Sequence, residues 1–254
     1  MNIVTNNIQG MCNVKKQRDL ISILKMSKPS VMCIQETNLN PAVHKLPSLP
    51  DYTCYYSAST KAFSGTCILV LSSLNVMSNT VISEGSAQCV TIKLDHDSIH
   101  ILNVHLPHSH NDAMQLLNKL EMLLSKIPSD ERVFMAGDWN FVENDLSDRD
   151  RVRSKERRKL VVSKMKSILD SYSLIDFYRV LYPSGTDMTH VGSHPHKPAA
   201  RLDRIYVSSA LSNELISHKI LPSASDHAQV QVTWARKVNC TTQLWKLDNN
   251  SVNP

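Results

Sequence analysis

The stretch that decides the fold reads VFMAGDWN and spans residues 133–140. Its apolar first half predicts a buried strand that ends at Gly137. Side chains alternate along an extended chain, so Asp138 and Asn140 can lie on one side of the strand end, with Trp139 packed on the other. A carboxylate beside a carboxamide can hold a water molecule and a charged oxygen, as a hydrolase requires. The alternative interpretation is a simple Gly-Asp turn that leaves a strand.

Length and composition limit the class of protein to which the chain can belong. The chain has 254 residues, of which 42% are hydrophobic, enough for a substantial core in one large or two small domains. No apolar run approaches the roughly 18 residues of a membrane span, so we expect no membrane partner. The first residues, MNIVT, lack the features of a secretory signal, which predicts an intracellular protein. The six cysteines contain no C-x-x-C pair, so we expect reduced thiols and no zinc finger.

Positive charge is concentrated in one segment. Residues 148–159 include seven basic and three acidic side chains, a net +4, whereas the whole chain carries +5. A basic cluster on a nearly neutral body suggests a polyanionic partner. Within it, the residues at 155 and 157–159 are equally consistent with the solvated face of a helix.

Hydrophobic periodicity predicts strands that alternate with helices in one α/β domain of layered sheets. Helical spacing marks 15–26, 112–127 and 155–172, and in the last of these we expect Leu160, Val161, Met165, Ile168 and Leu169 to face inward. Strand-like runs occupy 3–8, 31–37, 53–59, 66–72, 75–83, 88–95, 99–107, 132–138, 186–190, 201–207, 217–221 and 228–234.

Polar side chains gather where these strands end. If the strands lie side by side, their ends converge at one edge of the sheets, where layered α/β folds place ligands. Carboxylates and amides are hard oxygen ligands suited to Mg²⁺, and with a His-Asp pair they suffice for metal-assisted hydrolysis of a phosphate ester. The residues concerned are Asn7, Glu36, His105, Asp138, Asn140, Asp203, Asp226 and His227.

The order of these polar blocks resembles the endonuclease/exonuclease/phosphatase superfamily. The blocks are TNNIQG (5–10), IQET (34–37), ILNVHLPH (101–108), GDWN (137–140), LDRIYVS (202–208) and SDH (225–227). The resemblance covers nearly the whole chain and implies a sandwich of two packed mixed β-sheets flanked by helices.

Three further segments resemble the apurinic-type endonuclease domain of non-LTR (LINE-type) retrotransposons. They are CIQET (33–37), SLIDFYR with LYP (173–179 and 181–183) and WKLDNNSV (245–252). The resemblance implies an endonuclease domain over 1–236 and a tail over 237–254 that leads toward a reverse transcriptase. It also implies a nuclear site of action, with double-stranded DNA, the element RNA and the reverse transcriptase domain of the same polyprotein as partners.

The same resemblance implies roles for the residues at the strand ends. Glu36 would bind Mg²⁺, for which Mn²⁺ may substitute, with help from Asn7 and Asp226. Asp138 would position or deprotonate the attacking water, and Asn140 would hold that water and a phosphate oxygen. The product would be a nick with a 3′-hydroxyl that primes reverse transcription.

Other residues would contact the DNA. The resemblance implies that His227, oriented by Asp203, contacts the scissile phosphate, and that Thr189 contacts a phosphate as well. The hairpin at 190–200 would enter the minor groove and influence target choice. Further DNA-facing residues are Arg149, Arg151, Arg153, His194, His196 and Lys197.

His105 departs from the pattern, because many of these endonucleases have tyrosine there. An imidazole can hydrogen-bond a phosphate or protonate the leaving oxygen, so the identity of the general acid stays open. Histidine resembles the deoxyribonuclease and phosphatase-like branches, which keeps open a cellular apurinic-site nuclease or phosphodiesterase. A non-enzymatic binding module is the third alternative. The clustered histidines at 108, 110, 190, 194 and 196 match no standard zinc spacing, which favours solvated loop positions.

Overall fold

The computed structural model describes residues 1–39, 48–58, 64–95, 97–144, 146–149, 158–192 and 199–235. Within these ranges the chain forms twelve strands and four helices. The strands are β1 (Asn2–Asn7), β2 (Val31–Gln35), β3 (Tyr52–Ser57), β4 (Thr66–Leu71), β5 (Asn75–Ser83), β6 (Ala87–Lys93), β7 (Ser98–His105), β8 (Arg132–Asp138), β9 (Leu174–Asp176), β10 (Asp203–Ser208), β11 (Leu215–Leu221) and β12 (Gln229–Trp234). The helices are α1 (Val14–Ser27), α2 (His110–Leu124), α3 (Lys159–Ser171) and α4 (Phe177–Leu181).

The strands form two mixed six-stranded sheets, in the orders β11-β12-β1-β2-β4-β3 and β5-β6-β7-β8-β10-β9. Residues such as Ile3 and Val31 of the first sheet pack against Ile101 and Phe134 of the second. Helix α1 covers the outer face of the first sheet, and α2 and α3 cover that of the second. The predicted fold class, an α/β sandwich of two sheets flanked by helices, is confirmed. Each fully buried aliphatic or aromatic side chain stabilises this arrangement by roughly 1.5–3 kcal/mol.

The helices follow the predicted periodicity with one exception. The side chain of Asn13 accepts a hydrogen bond from the Lys15 amide at 2.8 Å and caps α1, as expected for an N-cap asparagine. In α3 the buried face includes Val161 and Met165, but Leu160 is 65% exposed, so its predicted inward orientation is wrong. Leu160 lies about 100° around the helix from Val161, which turns it off the apolar face. None of the helices in the described ranges is long and apolar enough to cross a membrane.

Two local elements differ from the sequence prediction. Residues 186–190 form no strand, although His190 makes isolated bridges to Ala200 and His227. Strand β9 and helix α4 were not predicted from periodicity, since three and five residues are too few to show a period. The Asp176 carboxylate accepts from the Tyr178 amide at 3.1 Å and so joins the two elements. All five cysteines in the described part of the chain are free, and Cys240 lies outside it.

Strand direction brings the polar ends together. Strands β1 and β2 are parallel, as are β7 and β8, so their carboxyl ends share one edge of the sandwich. Strand β10 is antiparallel to β8 and places Asp203 opposite Asp138, while β12 is antiparallel to β1 and begins at that edge. Close packing there requires glycine at 137, because a Cβ atom would lie 1.8 Å from the Val104 carbonyl oxygen.

Candidate active site

Two buried carboxylates lie at the centre of the shared edge. The Asn7 amide donates to Glu36 Oε1 at 2.9 Å and to Asp138 Oδ2 at 3.0 Å, so it holds the ends of β1, β2 and β8 together. Glu36 adopts a left-handed backbone with φ of 51°, which turns the chain at the end of β2. Burial alone would raise the pKa of Asp138, but His227, His105, the Asn7 amide and the Asn140 N–H together hold it below its usual range.

Asn140 is fixed by its backbone as much as by its side chain. Its N–H donates to Asp138 Oδ1 at 2.9 Å, its carboxamide donates to the Leu106 carbonyl at 2.9 Å, and its φ is 51°. Arg158 donates to the carbonyl of Asn140 at 2.7 Å and also to that of Pro107. The guanidinium therefore joins the ends of β7 and β8. The expectation that Arg158 belongs to a solvated helix face is wrong, because the side chain turns back toward the site.

A histidine-carboxylate pair faces Asp138. His227 Nδ1 lies 2.9 Å from Asp203 Oδ2, and His227 Nε2 lies 3.9 Å from Asp138 Oδ2. Burial alone would lower the pKa of His227, but the Asp203 carboxylate, with Asp138 and Asp226, raises it to about 10. The hydroxyl of Thr189 accepts from the backbone N–H of Asp203 at 2.9 Å and fixes the start of β10. This contact gives Thr189 a positioning role, and its predicted phosphate contact stays a prediction.

His105 completes the group around the carboxylates. Its Nε2 lies 3.5 Å from Glu36 Oε1 and 4.0 Å from Asp138 Oδ2. This nitrogen is buried and has no hydrogen-bond partner among the described residues. Glu36 and Asp138 are buried, and within the described ranges neither carboxylate forms an ion pair with a lysine or arginine. Their oxygens therefore form a set that fits a divalent cation. In the orientation seen, Asn7 donates to these carboxylates, so its role as a metal ligand stays a prediction.

Asp226 lies in a second group. Its Oδ2 is 3.6 Å from His190 Nε2, and its Oδ1 is 3.8 Å from His227 Nε2. The imidazole rings of His190 and His227 pack with their centres 4.7 Å apart. His190 is therefore not the solvated loop histidine expected from the sequence, whereas His108 and His110 are exposed as expected. That Asp226 helps Glu36 to bind Mg²⁺ stays a prediction.

Buried polar side chains tie the two sheets together beneath this edge. Gln35 on β2 donates to Thr5 on β1 at 2.9 Å and to Asn103 on β7 at 2.6 Å. Asn103 in turn donates to the carbonyls of Ile34 and Cys67 in the opposite sheet, at 3.0 and 2.9 Å. These bonds fix how the strand ends that carry Glu36 and His105 face each other. By contrast, Trp139 is fully buried against the helices, as predicted.

A buried ionic network anchors the chain that follows Asn140. Asp148 is fully buried and pairs with Arg201 Nε at 2.8 Å, Arg204 Nη2 at 3.6 Å and Arg179. Arg201 also pairs with Asp176 at 2.7 Å. Burial alone would raise the pKa of Asp148, but the three arginines lower it to about 2. Sequence reasoning counted Asp148 as one charge of a surface cluster, since its partners lie over 30 residues away.

The substitution Asp148→Asn should destabilise the fold by about 3 kcal/mol at pH 7, because buried arginines lose their counter-charge. The pKa of Asp148 is lowered, so its stabilisation is present above about pH 4 and is lost as the pH falls toward 2. The gap between wild type and variant in urea unfolding should therefore shrink by about 2 kcal/mol between pH 5 and pH 2. Asp130→Asn, in the exposed turn before β8, is the control, and a pH-independent gap would contradict this account.

The residues predicted to face DNA are only partly described. Arg149 makes an isolated bridge with Ala200, which places it beside the base of the 190–200 segment. Arg151, Arg153, His194, His196 and Lys197 lie outside the described residues, as does the tail 237–254. Among residues in the described ranges, sequence reasoning missed Arg158 and the pairing of His190 with Asp226. Arg158 lies in a run of similar charges and His190 stands apart from other motifs, so neither position indicated these contacts in the sequence.

The geometry agrees with a family comparison. The model of the Endonuclease/Exonuclease/phosphatase family matches residues 5–227, which is most of the chain. The predicted family and the predicted enzyme class, a nuclease-type hydrolase, are thereby confirmed.

Individual relatives include a transposon protein and an apurinic-site endonuclease. The Transposon TX1 uncharacterized 149 kDa protein of Xenopus laevis is 27% identical over 232 residues, which is 89% of this chain but only 17% of that protein. A DNA-(apurinic or apyrimidinic site) endonuclease of Dictyostelium discoideum is 23% identical over 91% of this chain and 70% of its own.

Solved structures share the fold. The endonuclease domain of TRAS1, a telomere-specific non-LTR retrotransposon, superposes with a TM-score of 0.70 at 13% identity, over 93% of this chain and 99% of that one. The APE2 catalytic domain of Xenopus laevis superposes with a TM-score of 0.78 at 17% identity, over 92% and 91% of the two chains.

Proposed function

The chain belongs to the Endonuclease/Exonuclease/phosphatase family, and we propose that within it the chain is a Mg²⁺-dependent DNA endonuclease. It nicks one strand of a target duplex and leaves a 3′-hydroxyl that primes reverse transcription of a retrotransposon. The observation that carries the proposal is the set of groups around Asp138. His227, which is paired with Asp203, lies 3.9 Å from Asp138. His105 lies 4.0 Å from Asp138 and 3.5 Å from Glu36, the second carboxylate of the group.

Each side chain of the site has a separate role in the proposed hydrolysis. Water attacks the phosphorus and the bond to O3′ breaks, so the products are a 5′-phosphate and a 3′-hydroxyl. Asp138 is ionised and accepts a hydrogen bond from the water, while Asn140 holds the water and a phosphate oxygen. His227, kept protonated by Asp203, neutralises charge that develops on the phosphate. His105 Nε2 has no other hydrogen-bond partner among the described residues and supplies the proton to the leaving oxygen.

A divalent cation fits the carboxylate side of this site. Glu36 would hold Mg²⁺ through a carboxylate oxygen, with Asn7 and Asp226 as further ligands, and Mn²⁺ would substitute. When bound, the cation supplies positive charge beside the scissile phosphate. Hard oxygen donors suit Mg²⁺ better than zinc, which prefers nitrogen and sulfur.

The retrotransposon context rests on the relatives. Similarity to a transposon protein and to the TRAS1 endonuclease domain supports an element-encoded enzyme that acts on chromosomal DNA in the nucleus. The partners are then double-stranded DNA, the element RNA and a reverse transcriptase domain of the same polyprotein. The endonuclease spans 1–236, and 237–254 forms the link to that domain. Thr189 contacts a phosphate, and so do Arg149, Arg151 and Arg153. His194, His196 and Lys197 face the DNA from the 190–200 segment, which influences target choice.

The test is plasmid nicking followed by analysis of the ends. We expect the folded protein to convert supercoiled plasmid to open circles with Mg²⁺ or Mn²⁺, and EDTA to abolish the reaction. The nicks should be extended by a DNA polymerase without phosphatase treatment, since they end in a 3′-hydroxyl. Absence of nicking by the folded protein, or ends that require phosphatase before extension, would overturn the proposal.

A second candidate function is cleavage at abasic sites. The relatives favour it, because they include an abasic-site endonuclease, whereas His105 resembles the deoxyribonuclease and phosphatase-like branches of the same fold. A duplex with one abasic site, compared with the same duplex undamaged, separates the two functions. Preferential cleavage of the damaged strand would favour repair, and clustered nicks on intact plasmid would favour target nicking.

A further inference from the structure

Three metal-ligating side chains meet beside the carboxylate site but are distinct from Glu36. His190 Nε2 lies 3.6 Å from Asp226 Oδ2, and His227 Nε2 lies 3.8 Å from Asp226 Oδ1. One ligand atom from each of the three residues falls within 4.8 Å of the others. Asp226 Oδ1 is buried without a hydrogen-bond partner among the described residues. This His190–Asp226–His227 cluster therefore has an open acceptor on Asp226, and one imidazole faces each oxygen of that carboxylate.

The separations fit a tetrahedral zinc ion. Ligand atoms at about 2.0–2.1 Å from Zn²⁺ lie about 3.4 Å from one another in a tetrahedron. His190 faces one Asp226 oxygen at 3.6 Å, His227 faces the other at 3.8 Å, and one ligand atom of each residue lies within 4.8 Å of the others. Rotation of these side chains would bring three ligand atoms to the tetrahedral spacing. Three protein ligands with water as the fourth form a common zinc arrangement.

The donors are also held in place before any metal binds. His227 Nδ1 faces Asp203 at 2.9 Å, which directs Nε2 toward Asp226. A carboxylate on the second nitrogen is the usual support of a metal-bound histidine. The backbone of His190 exchanges hydrogen bonds with Ala200 at 2.8 and 2.9 Å, and the Val191 N–H donates to the Asp226 carbonyl at 2.9 Å. The cluster thus rests on bridged backbone at the edge of the sheets.

The cluster shares Asp226 with the proposed Mg²⁺ site but differs from that site in its donor chemistry. Glu36 and Asp138 offer hard carboxylate oxygens, whereas two of the three donors here are imidazole nitrogens. Imidazole suits zinc and other transition metals, and Mg²⁺ takes oxygen ligands almost exclusively. The two clusters should consequently select different ions from a mixture.

We propose that His190, Asp226 and His227 form an inhibitory Zn²⁺ site. Zn²⁺ takes the lone pair of His227 Nε2 and displaces its proton to solvent, so this imidazole no longer faces the scissile phosphate. Binding is thus incompatible with catalysis, and it also takes Asp226 from the proposed Mg²⁺ site. The inhibition rests on the proposed nuclease function, whereas the metal site itself does not.

Direct metal binding without DNA is the first test. The metal-free protein in Mg²⁺ buffer is titrated with Co²⁺, whose visible absorption reports tetrahedral coordination, and with Zn²⁺ in competition with a chromophoric chelator. We expect one tight site, with affinity reduced at least tenfold in His190→Phe and His190→Gln. His110→Phe on the exposed start of α2 is the matched control and should bind like wild type. Thermal unfolding by circular dichroism establishes that each variant is folded.

These experiments test the zinc site and the proposed nuclease function separately. Unchanged zinc affinity in both folded His190 variants, or loss only in His105→Phe, would overturn the proposal in favour of binding at the Glu36 cluster. In the nicking assay with Mg²⁺, zinc should inhibit wild type at least tenfold more strongly than His190→Phe, each relative to its own zinc-free rate. Zinc binding without nicking activity in any condition would instead count against the nuclease function.

Discussion

Replacement of Asp138 by asparagine should lower the rate of plasmid nicking by about 10³-fold, equivalent to about 4 kcal/mol in the barrier. The carboxylate accepts from Asn7 and from the Asn140 N–H and faces His105 and His227. Asparagine keeps the size of the side chain but offers one acceptor instead of two and no charge. The loss should fall on kcat, since the water and the developing charge exist only near the transition state.

The measurement is the initial rate of open-circle formation at saturating Mg²⁺. Asp130→Asn is the matched control, because it makes the same change in the exposed turn before β8 and should nick like wild type. Removal of a buried charge also changes stability, so both variants are compared by urea unfolding. Asp138→Asn activity within tenfold of wild type would remove this residue from the catalytic group.

The second large effect is expected for Asp203→Asn, which should reduce nicking by roughly 10²–10³-fold at pH 7.5. The Asp203 carboxylate raises the pKa of His227 to about 10 despite burial, so His227 stays protonated through the neutral range. Without that carboxylate the pKa of His227 falls, and the imidazole is neutral when the phosphate arrives. Because the folded pKa is raised, the pair also stabilises the fold fully below about pH 6.5, and this stabilisation is lost as the pH rises through 10.

A pH profile distinguishes this role from a purely structural one. The variant should recover activity as the pH is lowered from 8 to 6, because protonation of His227 restores the missing charge, while wild type should not. Titration of the His227 ring by NMR gives the pKa directly. Asp170→Asn on the exposed end of α3 is the control. A variant with reduced activity but a wild-type profile and an unchanged His227 pKa would assign Asp203 a structural role only.

Local patterns predicted much of this site because strand ends are visible in a sequence. An apolar run that stops at a carboxylate, as at Glu36 and Asp138, places that group at a sheet edge whatever the topology. The parallel direction of neighbouring strands then brings the strand ends together at one edge of the sandwich. Trp139 was predicted to pack for the same reason, since alternation turns it away from Asp138.

Contacts between distant segments could not be predicted in this way. Arg158 binds carbonyls at 107 and 140, and its neighbours in the sequence are equally basic, so no local pattern distinguishes it. Burial of Asp148 depends on arginines more than 30 positions away. His190 acquires partners only because the backbone at 189–191 bridges to 200 and 226–228. These features arise from tertiary packing, which overrides composition.

The pairing of β1 with both β2 and β12 has a consequence for the life of the protein. Asn7 emerges early from the ribosome and His227 more than 200 residues later, yet both belong to one group of side chains in the candidate active site. Nascent or prematurely terminated chains that lack β12 cannot assemble that group. The proposed nuclease activity therefore arises only after translation has passed the end of the sandwich.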